Sequence, residues 1–287
     1  MKTTNPMQLK ALVKNKAEKV GIPPHFAMQT YMMERLLERI SLSDYKTKFV
    51  IKGGLLISAM IGSNLRATMD MDATLVRQGL TPGSIKDMFE AIAAVEVDDG
   101  INFVVKSITD IEKTDEYSGF RVHMEASFPP IAQPLSVDVT TGDRITPKEI
   151  EFMYPLIFED KTIPIMAYNA ETILAEKLET IISRGISTTR PRDFYDIYML
   201  WRLECGKIDV GILHKAVTAT CENRKSLEKA ANWKDEMERI ANNKTLKSYW
   251  EQYRKEFSYA RNMGFEETCE VVKKIFNALE MENLSHR

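Results

Sequence analysis

The chain has 287 residues, of which 44% are hydrophobic and 28% charged, and its formal net charge is −2. This composition is typical of a globular protein with a sizeable core. The charge gives no overall case for nucleic-acid binding, although it leaves a local basic surface open. No apolar run reaches the roughly 20 residues of a membrane span, and the first residues lack a signal peptide's apolar segment, so we expect a cytoplasmic protein. Three cysteines and four scattered histidines indicate neither a disulfide framework nor a zinc site.

Two helices are expected at the start of the chain, over 7–20 and 25–41, with Gly21 and a Pro-Pro pair between them. The apolar side chains of the second fall mostly on one stripe, which is typical of a helix packed against a core.

The stretch 48–74 contains a short apolar strand, Gly53 and Gly54, a short helix, and then Asp70 and Asp72 at the start of a second strand. Residues two apart on a strand share a face, so both carboxylates are directed at one point. Mg²⁺ typically takes one or two carboxylates, together with water and substrate phosphates. The glycines allow close approach of a ligand, and a helix N-terminus binds phosphate. A Gly-Gly turn or an Asp-x-Asp alone is common by chance, but their order here predicts a metal–nucleotide site.

A helix is expected from Pro82 to about Val95, and five strands should follow it. They are expected over 101–108, 117–128, 134–141, 151–158 and 161–166. The last two read as a hairpin, and Pro155 and Pro164 favour a place at a sheet edge.

Asp138 alternates with apolar neighbours on the strand 134–141. One interpretation is an ordinary exposed strand aspartate. The other is a third carboxylate beside Asp70 and Asp72, as a two-metal phosphoryl-transfer site requires. We prefer the second because aspartate is disfavoured inside strands.

From Tyr168 onward the pattern is helical. Lys177 lies in the middle of the helix that Asn169 caps, where a lysine is usually solvated. Pro191 begins the next helix, with Arg192 and Asp196 at a spacing typical of ordinary intrahelical ion pairs.

More helices are expected over 208–284, and basic residues are interleaved there with four aromatic ones. The aromatic residues are Trp233, Tyr249, Trp250 and Tyr253. Such a surface could bind RNA phosphates and stack bases. Because acidic residues dilute the positive charge, a mixed solvated helical face is the simpler interpretation.

Four motifs in this order resemble a known family. They are K-G-G, R-x-T-x-D-x-D, A-E-K-L-E-T and R-P-R-D-F-Y-D, and they fall between about residues 48 and 200. The pattern is similar to that of the AbiEii/AbiGii nucleotidyltransferase toxins, which are relatives of the mycobacterial MenT toxins.

The resemblance implies an α+β fold, with a DNA polymerase β-like nucleotidyltransferase core (a mixed sheet with flanking helices) and an all-helical C-terminal region. The implied domains are 1–168, the nucleotidyltransferase-like domain, and 169–287, a helical domain that contributes to the active site. The implied function is a Mg²⁺-dependent toxin of an abortive-infection, antiviral toxin–antitoxin system. It would transfer a nucleotide from an NTP to an acceptor, tRNA by likeness to MenT, and an antitoxin would be encoded nearby.

The resemblance also assigns roles to residues. Asp70 and Asp72 would bind Mg²⁺, with Asp138 as a further ligand from the general polymerase β pattern. Lys177 and Asp193 would be essential, the lysine as a cation for NTP phosphates and the aspartate as a base or orienting group. The set assigned to nucleotide binding consists of Lys52, Gly53, Gly54, Arg66, Lys177 and Arg190.

Two other functions fit the same sequence. The acceptor could be a protein or a small molecule, because the acceptor site rather than the fold decides the substrate. Alternatively, the chain could be a non-enzymatic NTP-binding module, which would bind nucleotide without releasing pyrophosphate.

Overall fold

The computed structural model describes residues 5–62, 68, 70–77, 79–111 and 119–285. The helices in this part of the chain are α1 (Pro6–Val20), α2 (Pro24–Leu42), α3 (Gly53–Met60), α4 (Pro82–Ala93), α5 (Ala170–Arg184), α6 (Pro191–Glu204), α7 (Val210–Asn223), α8 (Leu227–Ala231), α9 (Trp233–Asn242), α10 (Lys244–Glu256) and α11 (Phe265–Ser285). The strands are β1 (Phe49–Lys52), β2 (Met71–Leu75), β3 (Asn102–Asp110), β4 (Gly119–Phe128), β5 (Ile131–Thr140), β6 (Ile150–Pro155) and β7 (Thr162–Ala167). None of the helices in the described ranges has the length and apolarity needed to cross a bilayer.

The chain forms two compact units. The first consists of Met1–Gly142 and Glu149–Ala167, and the second of Asp143–Lys148 and Tyr168–Arg287. The short segment Asp143–Lys148 belongs to the second unit because helix α5 begins against it. The Asn169 amide there donates hydrogen bonds to the backbone oxygens of Thr146 and Lys148, at 2.8 and 3.0 Å.

The first unit is built on one mixed sheet with the strand order β3-β4-β5-β2-β1-β7-β6. The pairs β2–β5 and β1–β7 are parallel, and the other neighbouring strands are antiparallel. Phe49 of β1 packs edge-on against Phe89 of α4, with ring centroids 5.5 Å apart. Since Lys52 lies three residues further along the strand, its side chain is on the opposite face of the sheet. The sheet, its flanking helices and the helical C-terminal region confirm the predicted fold class.

The predicted hairpin is formed by β6 and β7, but only one of its strands lies at the edge of the sheet. Strand β6 is at the edge, whereas β7 lies between β6 and β1, so the prediction was wrong for β7. Pro164 is tolerated there because β7 pairs with β1 only at Met166 and Ala167. The missing N–H of Pro164 therefore interrupts no ladder with β1.

Helix α2 buries charged side chains beside its predicted apolar stripe. They are 0–4% exposed and are Glu34, Arg35, Glu38 and Arg39. Arg39 donates to the two carboxylate oxygens of Asp99 at 2.8 and 2.9 Å, and Arg35 donates to Glu159 at 2.7 Å. The helical pattern did not reveal these pairs, because the partners lie far away in the sequence.

The Glu34 carboxyl is fully buried and accepts a hydrogen bond from the Ile157 N–H at 2.9 Å. Burial raises its pKa from the ordinary 4.5 to about 8, against the opposing effects of that N–H and of Arg35. A raised pKa means that the folded protein binds the proton more tightly than the unfolded chain does. The stability that Glu34 contributes is therefore complete below about pH 4.5 and is lost as the pH rises through 8, at about 1.4 kcal/mol per pH unit.

We expect the substitution Glu34→Gln to remove this pH dependence, because the amide stays neutral and still accepts from Ile157. Melting temperatures measured between pH 5 and pH 9 should fall with pH in the wild type relative to the variant. Glu90→Gln, at a carboxylate that is 55% exposed on α4, is the matched control and should follow the wild-type profile. If Glu34→Gln lost stability as steeply as the wild type, another group would carry the dependence.

Candidate active site

A row of four charged side chains crosses the middle of the sheet. Lys52 of β1 is directly opposite Asp72 of β2, Asp72 is opposite Asp138 of β5, and Asp138 is opposite Arg121 of β4. Directly opposite residues on neighbouring strands project from the same face. Two carboxylates are thus flanked by a lysine and an arginine, and we call these four residues the charged row. Asp70 is half-buried and lies just before β2.

Asp72 packs against the backbone at the start of helix α3. Gly53 has φ +68°, and a Cβ atom added to it would lie 2.0 Å from Asp72 Oδ2. Only glycine fits this position, both for its left-handed backbone and for the nearby carboxylate. The sequence predicted that Gly53 would allow a ligand to approach, which stays a prediction; the contact that the structure shows at Gly53 is with the Asp72 side chain. Gly54, in the first turn of α3, is half-buried.

Asp138 is held at both carboxylate oxygens by Arg121, whose Nε and Nη2 donate to them at 2.7 and 2.8 Å. The hydrogen bond and charge of Asp138 raise the pKa of Arg121, and the charges of Asp70 and Asp72 add to the effect. All three aspartates therefore act on one guanidinium. Sequence reasoning missed Arg121, because no motif marks it. Only the register between β4 and β5 places Arg121 opposite Asp138.

Lys52, predicted to contact phosphates, is 8% exposed and donates from Nζ to Thr140 Oγ1 at 2.8 Å. This bond anchors the lysine to β5, next to the carboxylates. Arg66 lies outside the described residues. Within the described ranges, no three His, Cys, Asp or Glu side chains are grouped as they would be around a metal ion. The ligand role of Asp138 thus stays a prediction.

The second unit contains a buried ion cluster that links helices α5 and α6. Lys177 Nζ lies 2.8 Å from Asp193 Oδ1 and 2.7 Å from Asp196 Oδ2, and these aspartate side chains are 2% and 0% exposed. Arg190 Nε is 3.1 Å from Asp193 Oδ2. The lysine is 13% exposed, so it is neither solvated nor alone. The structure thus brings Lys177, Arg190 and Asp193 together, and it adds Asp196 as a second carboxylate on the lysine.

The ionisation of Asp193 favours an orienting role over that of a base. Burial acts to raise its pKa, but the charges of Lys177 and Arg190 and the hydrogen bond from Lys177 outweigh burial, and the pKa is lowered. A carboxylate with a lowered pKa is a weak proton acceptor near neutral pH. We therefore take Asp193 as the group that positions Lys177.

Three of the four aromatic residues that could have stacked RNA bases are core residues instead. Trp233, Trp250 and Tyr253 are 4%, 0% and 7% exposed. Trp233 stacks on Phe276 with centroids 5.2 Å apart, and Trp250 donates to the Met263 backbone oxygen at 3.1 Å. The RNA-stacking interpretation of these three side chains was wrong, since their rings pack inside the second unit.

The model of one family, the nucleotidyl transferase AbiEii toxins of type IV toxin–antitoxin systems, matches residues 35–273. The chain belongs to this family. The resemblance seen in the sequence is thereby confirmed, and the AbiEii chain is a nucleotidyltransferase toxin whose family implies an NTP substrate and an antitoxin partner. No curated protein matches the sequence.

Among solved structures, this AbiEii chain is similar to JHP933 from Helicobacter pylori, with a TM-score of 0.52, 14% identity, and coverage of 91% of this chain and 95% of that one. A second H. pylori protein, described as a nucleotidyltransferase, matches with a TM-score of 0.45 and 15% identity, and the match covers 89% of this chain and 95% of that one. An antigenic nucleotidyltransferase-like protein from Paracoccidioides brasiliensis matches with a TM-score of 0.40 and 12% identity, and the match covers 68% of this chain and 91% of that one. At these identities the likeness concerns the fold. The family match confirms the predicted nucleotidyltransferase-like fold.

The contact between Gly53 and Asp72 predicts a large loss of nucleotide transfer in the substitution Gly53→Ala. The added methyl group must displace the carboxylate, and misplacing a catalytic group, which is the role predicted for Asp72, by about 1 Å can cost roughly a hundredfold in rate. The matched control is Gly62→Ala, because Gly62 has a similar φ of +62° but a Cβ there meets nothing within 4 Å in the described structure. Both variants should lose about 1 kcal/mol of stability to backbone strain. Equal transfer rates in the two variants would contradict the prediction.

Proposed function

We propose that this AbiEii protein acts in the cytoplasm as a Mg²⁺-dependent nucleotidyltransferase that modifies tRNA, as the toxin of an abortive-infection, antiviral system. The observation that carries the proposal is the charged row, in which Asp72 packs against Gly53 at the start of α3 and Asp138 lies on the neighbouring strand. The choice of tRNA rests on the resemblance to the MenT toxins.

The residues of the first unit fit a magnesium ion. Asp70 and Asp72 supply hard carboxylate oxygens, and Mg²⁺ commonly uses one or two of these while water and phosphates complete its shell. Asp138 is the candidate for a further ligand. Bound there, the ion would polarise the α-phosphate of the NTP and lower the pKa of the attacking hydroxyl.

The chain's own residues would bind the nucleotide and neutralise its charge. We assign the phosphates to Lys52 and to the backbone at Gly53 and Gly54, where α3 begins. Arg66 keeps the nucleotide-binding role that its motif implies. An acceptor hydroxyl would then bond to the α-phosphorus, the bond to the bridging oxygen would break, and pyrophosphate would leave while the hydroxyl proton passes to water.

The residues of the second unit would supply positive charge for the phosphates. Lys177 is held by two buried carboxylates, so its ammonium group has a fixed position. The Arg190 side chain is 38% exposed, although its Nε is buried beside Asp193. We propose both as phosphate-binding cations, with Asp193 holding Lys177 in place.

The test is to incubate the wild type and Asp70→Asn with each α-³²P-labelled NTP, Mg²⁺ and total tRNA, and to resolve the products on a denaturing gel. We expect one or more NTPs to label tRNA with the wild type and not with the variant. Label on protein or on a small molecule instead would identify the other acceptor classes. Nucleotide binding without pyrophosphate release would identify a non-enzymatic module.

The antitoxin partner can be tested separately from the chemistry. A gene encoded next to this one should yield a product that restores growth to cells expressing the toxin. Growth inhibition that persists with every neighbouring gene would contradict a locally encoded antitoxin.

A further inference from the structure

A cation from the protein already binds both carboxylate oxygens of Asp138. Arg121 Nε and Nη2 lie 2.7 and 2.8 Å from them, and the two residues are directly opposite on β4 and β5. The planar guanidinium is well matched to a carboxylate, and a two-point contact is among the stronger charge-assisted hydrogen bonds. The lone pairs that a metal ion would use on Asp138 are therefore shared with Arg121.

The same guanidinium lies in the field of the predicted metal ligands. Arg121 and Asp72 lie on either side of Asp138 in the charged row, so a cation bound at Asp72 is within range of the arginine's charge. A divalent ion placed among these carboxylates would repel Arg121 and weaken its contact with Asp138.

Arg121 can leave Asp138 without disrupting the core. Its side chain is 42% exposed, whereas that of Asp138 is 18% exposed. A half-exposed guanidinium that swings away regains water around its donors, and it leaves no buried cavity. Exchange between the arginine and an incoming cation is thus physically accessible.

We propose that Arg121 and a divalent cation compete for Asp138, so that Arg121 sets the metal concentration at which Asp138 becomes a ligand. The inference rests on the proposed function, because the cation concerned is the one assigned to Asp70 and Asp72. Asp138 becomes a ligand of this cation only when the cation displaces the arginine. Arg121 acts here as a positioning residue for Asp138.

The test is to titrate the full chain with Mn²⁺ in the absence of nucleotide. The electron paramagnetic resonance signal of the free ion measures how much Mn²⁺ is bound. Mn²⁺ uses the same carboxylate ligands as Mg²⁺. We expect Arg121→Gln to bind Mn²⁺ about tenfold more tightly than the wild type, because one competing charge next to the site is removed. Arg121→Lys, which keeps the charge but loses the two-point contact, should fall between them.

A double-mutant cycle locates the effect. In an Asp138→Asn background, the further substitution Arg121→Gln should raise Mn²⁺ affinity by no more than about threefold, because the group for which the arginine competes is gone and only its more distant repulsion of the cation is removed. The matched control is Lys106→Gln, which removes an exposed cation from the Lys106–Glu125 pair on β3 and β4, 3.1 Å apart, and should leave Mn²⁺ affinity unchanged. Thermal melts of each variant verify that the fold is retained.

The outcomes separate this inference from the proposed function. Wild type and Arg121→Gln binding Mn²⁺ with equal affinity would overturn the competition and leave the metal site intact. A tenfold gain that persisted with Asp138→Asn would also overturn it, since Arg121 would then act on Asp70 and Asp72. If neither the wild type nor any variant bound Mn²⁺, both the competition and the proposed metal site would fall.

Discussion

Replacing Asp72 with asparagine is expected to lower nucleotide transfer by at least about a thousandfold, because the several kcal/mol of charge stabilisation supplied by a metal ligand are lost. Asp72 is one of the two carboxylates to which we assign the metal ion. It lies between Lys52 and Asp138 in the charged row, and one of its oxygens rests against Gly53. Asparagine has nearly the same shape, so the close packing at Gly53 should persist.

Single-turnover transfer of label from an α-labelled NTP measures this effect, with thermal melts to verify the fold. Asp110→Asn is the matched control, because Asp110 is an exposed aspartate on β3 of the same sheet, opposite Phe120. It should transfer at the wild-type rate. Transfer by Asp72→Asn within about tenfold of the control would show that the carboxylate of Asp72 does not hold the catalytic metal.

The second large effect concerns stability, and it follows from substituting Lys177 by alanine. The change leaves the buried carboxylates of Asp193 and Asp196 without their shared cation, and breaking a buried ion pair in this way typically costs about 3–5 kcal/mol. Arg190 remains beside Asp193, but Asp196 loses a partner at 2.7 Å. Loss of activity in Lys177→Ala would therefore combine a folding defect with any lost phosphate contact.

Denaturant unfolding of three variants separates these causes. Lys177→Ala should be strongly destabilised. Adding Asp193→Asn and Asp196→Asn to it should recover much of the loss, because the two buried negative charges are then removed together with the lysine. Lys177→Arg keeps the charge, so lost transfer in a folded Lys177→Arg would point to the phosphate contact. Equal instability of the single and triple variants would contradict the unpaired-charge explanation.

The central features of the first unit could be predicted because they depend on local periodicity. Alternation along a strand is a property of a few neighbouring residues. It predicted, without knowledge of the fold, that Asp138 projects from the face of its strand that its apolar neighbours do not occupy. The position of Asp70 and Asp72 after a Gly-Gly turn was equally local. The register between strands is not local. The contact of Asp72 with Gly53 and the hydrogen bonds of Arg121 to Asp138 therefore could not be predicted from the sequence.

The second unit shows the same limit. Helical spacing predicted an ordinary ion pair between Asp196 and Arg192 of the same helix. In the structure, Asp196 Oδ2 lies 2.7 Å from Nζ of Lys177, which belongs to another helix. The aromatic residues near the C-terminus illustrate a different difficulty. A tryptophan next to lysines suits both a base-stacking surface and a core position, and only packing decides, as Trp250 shows with 0% exposure.

Strand β2, which carries Asp72, is the fourth of seven in the sheet, with three strands on either side. Hydrogen-bond ladders at a sheet's borders fray first, whereas a middle strand opens only with a large part of the domain. We therefore expect the amides of β2 to be among the slowest in the chain to exchange with deuterium. Local opening at β3 or β6 would leave the spacing of the Asp72 and Asp138 carboxylates undisturbed, so these outer strands can accept insertions and sequence drift that the central ones cannot.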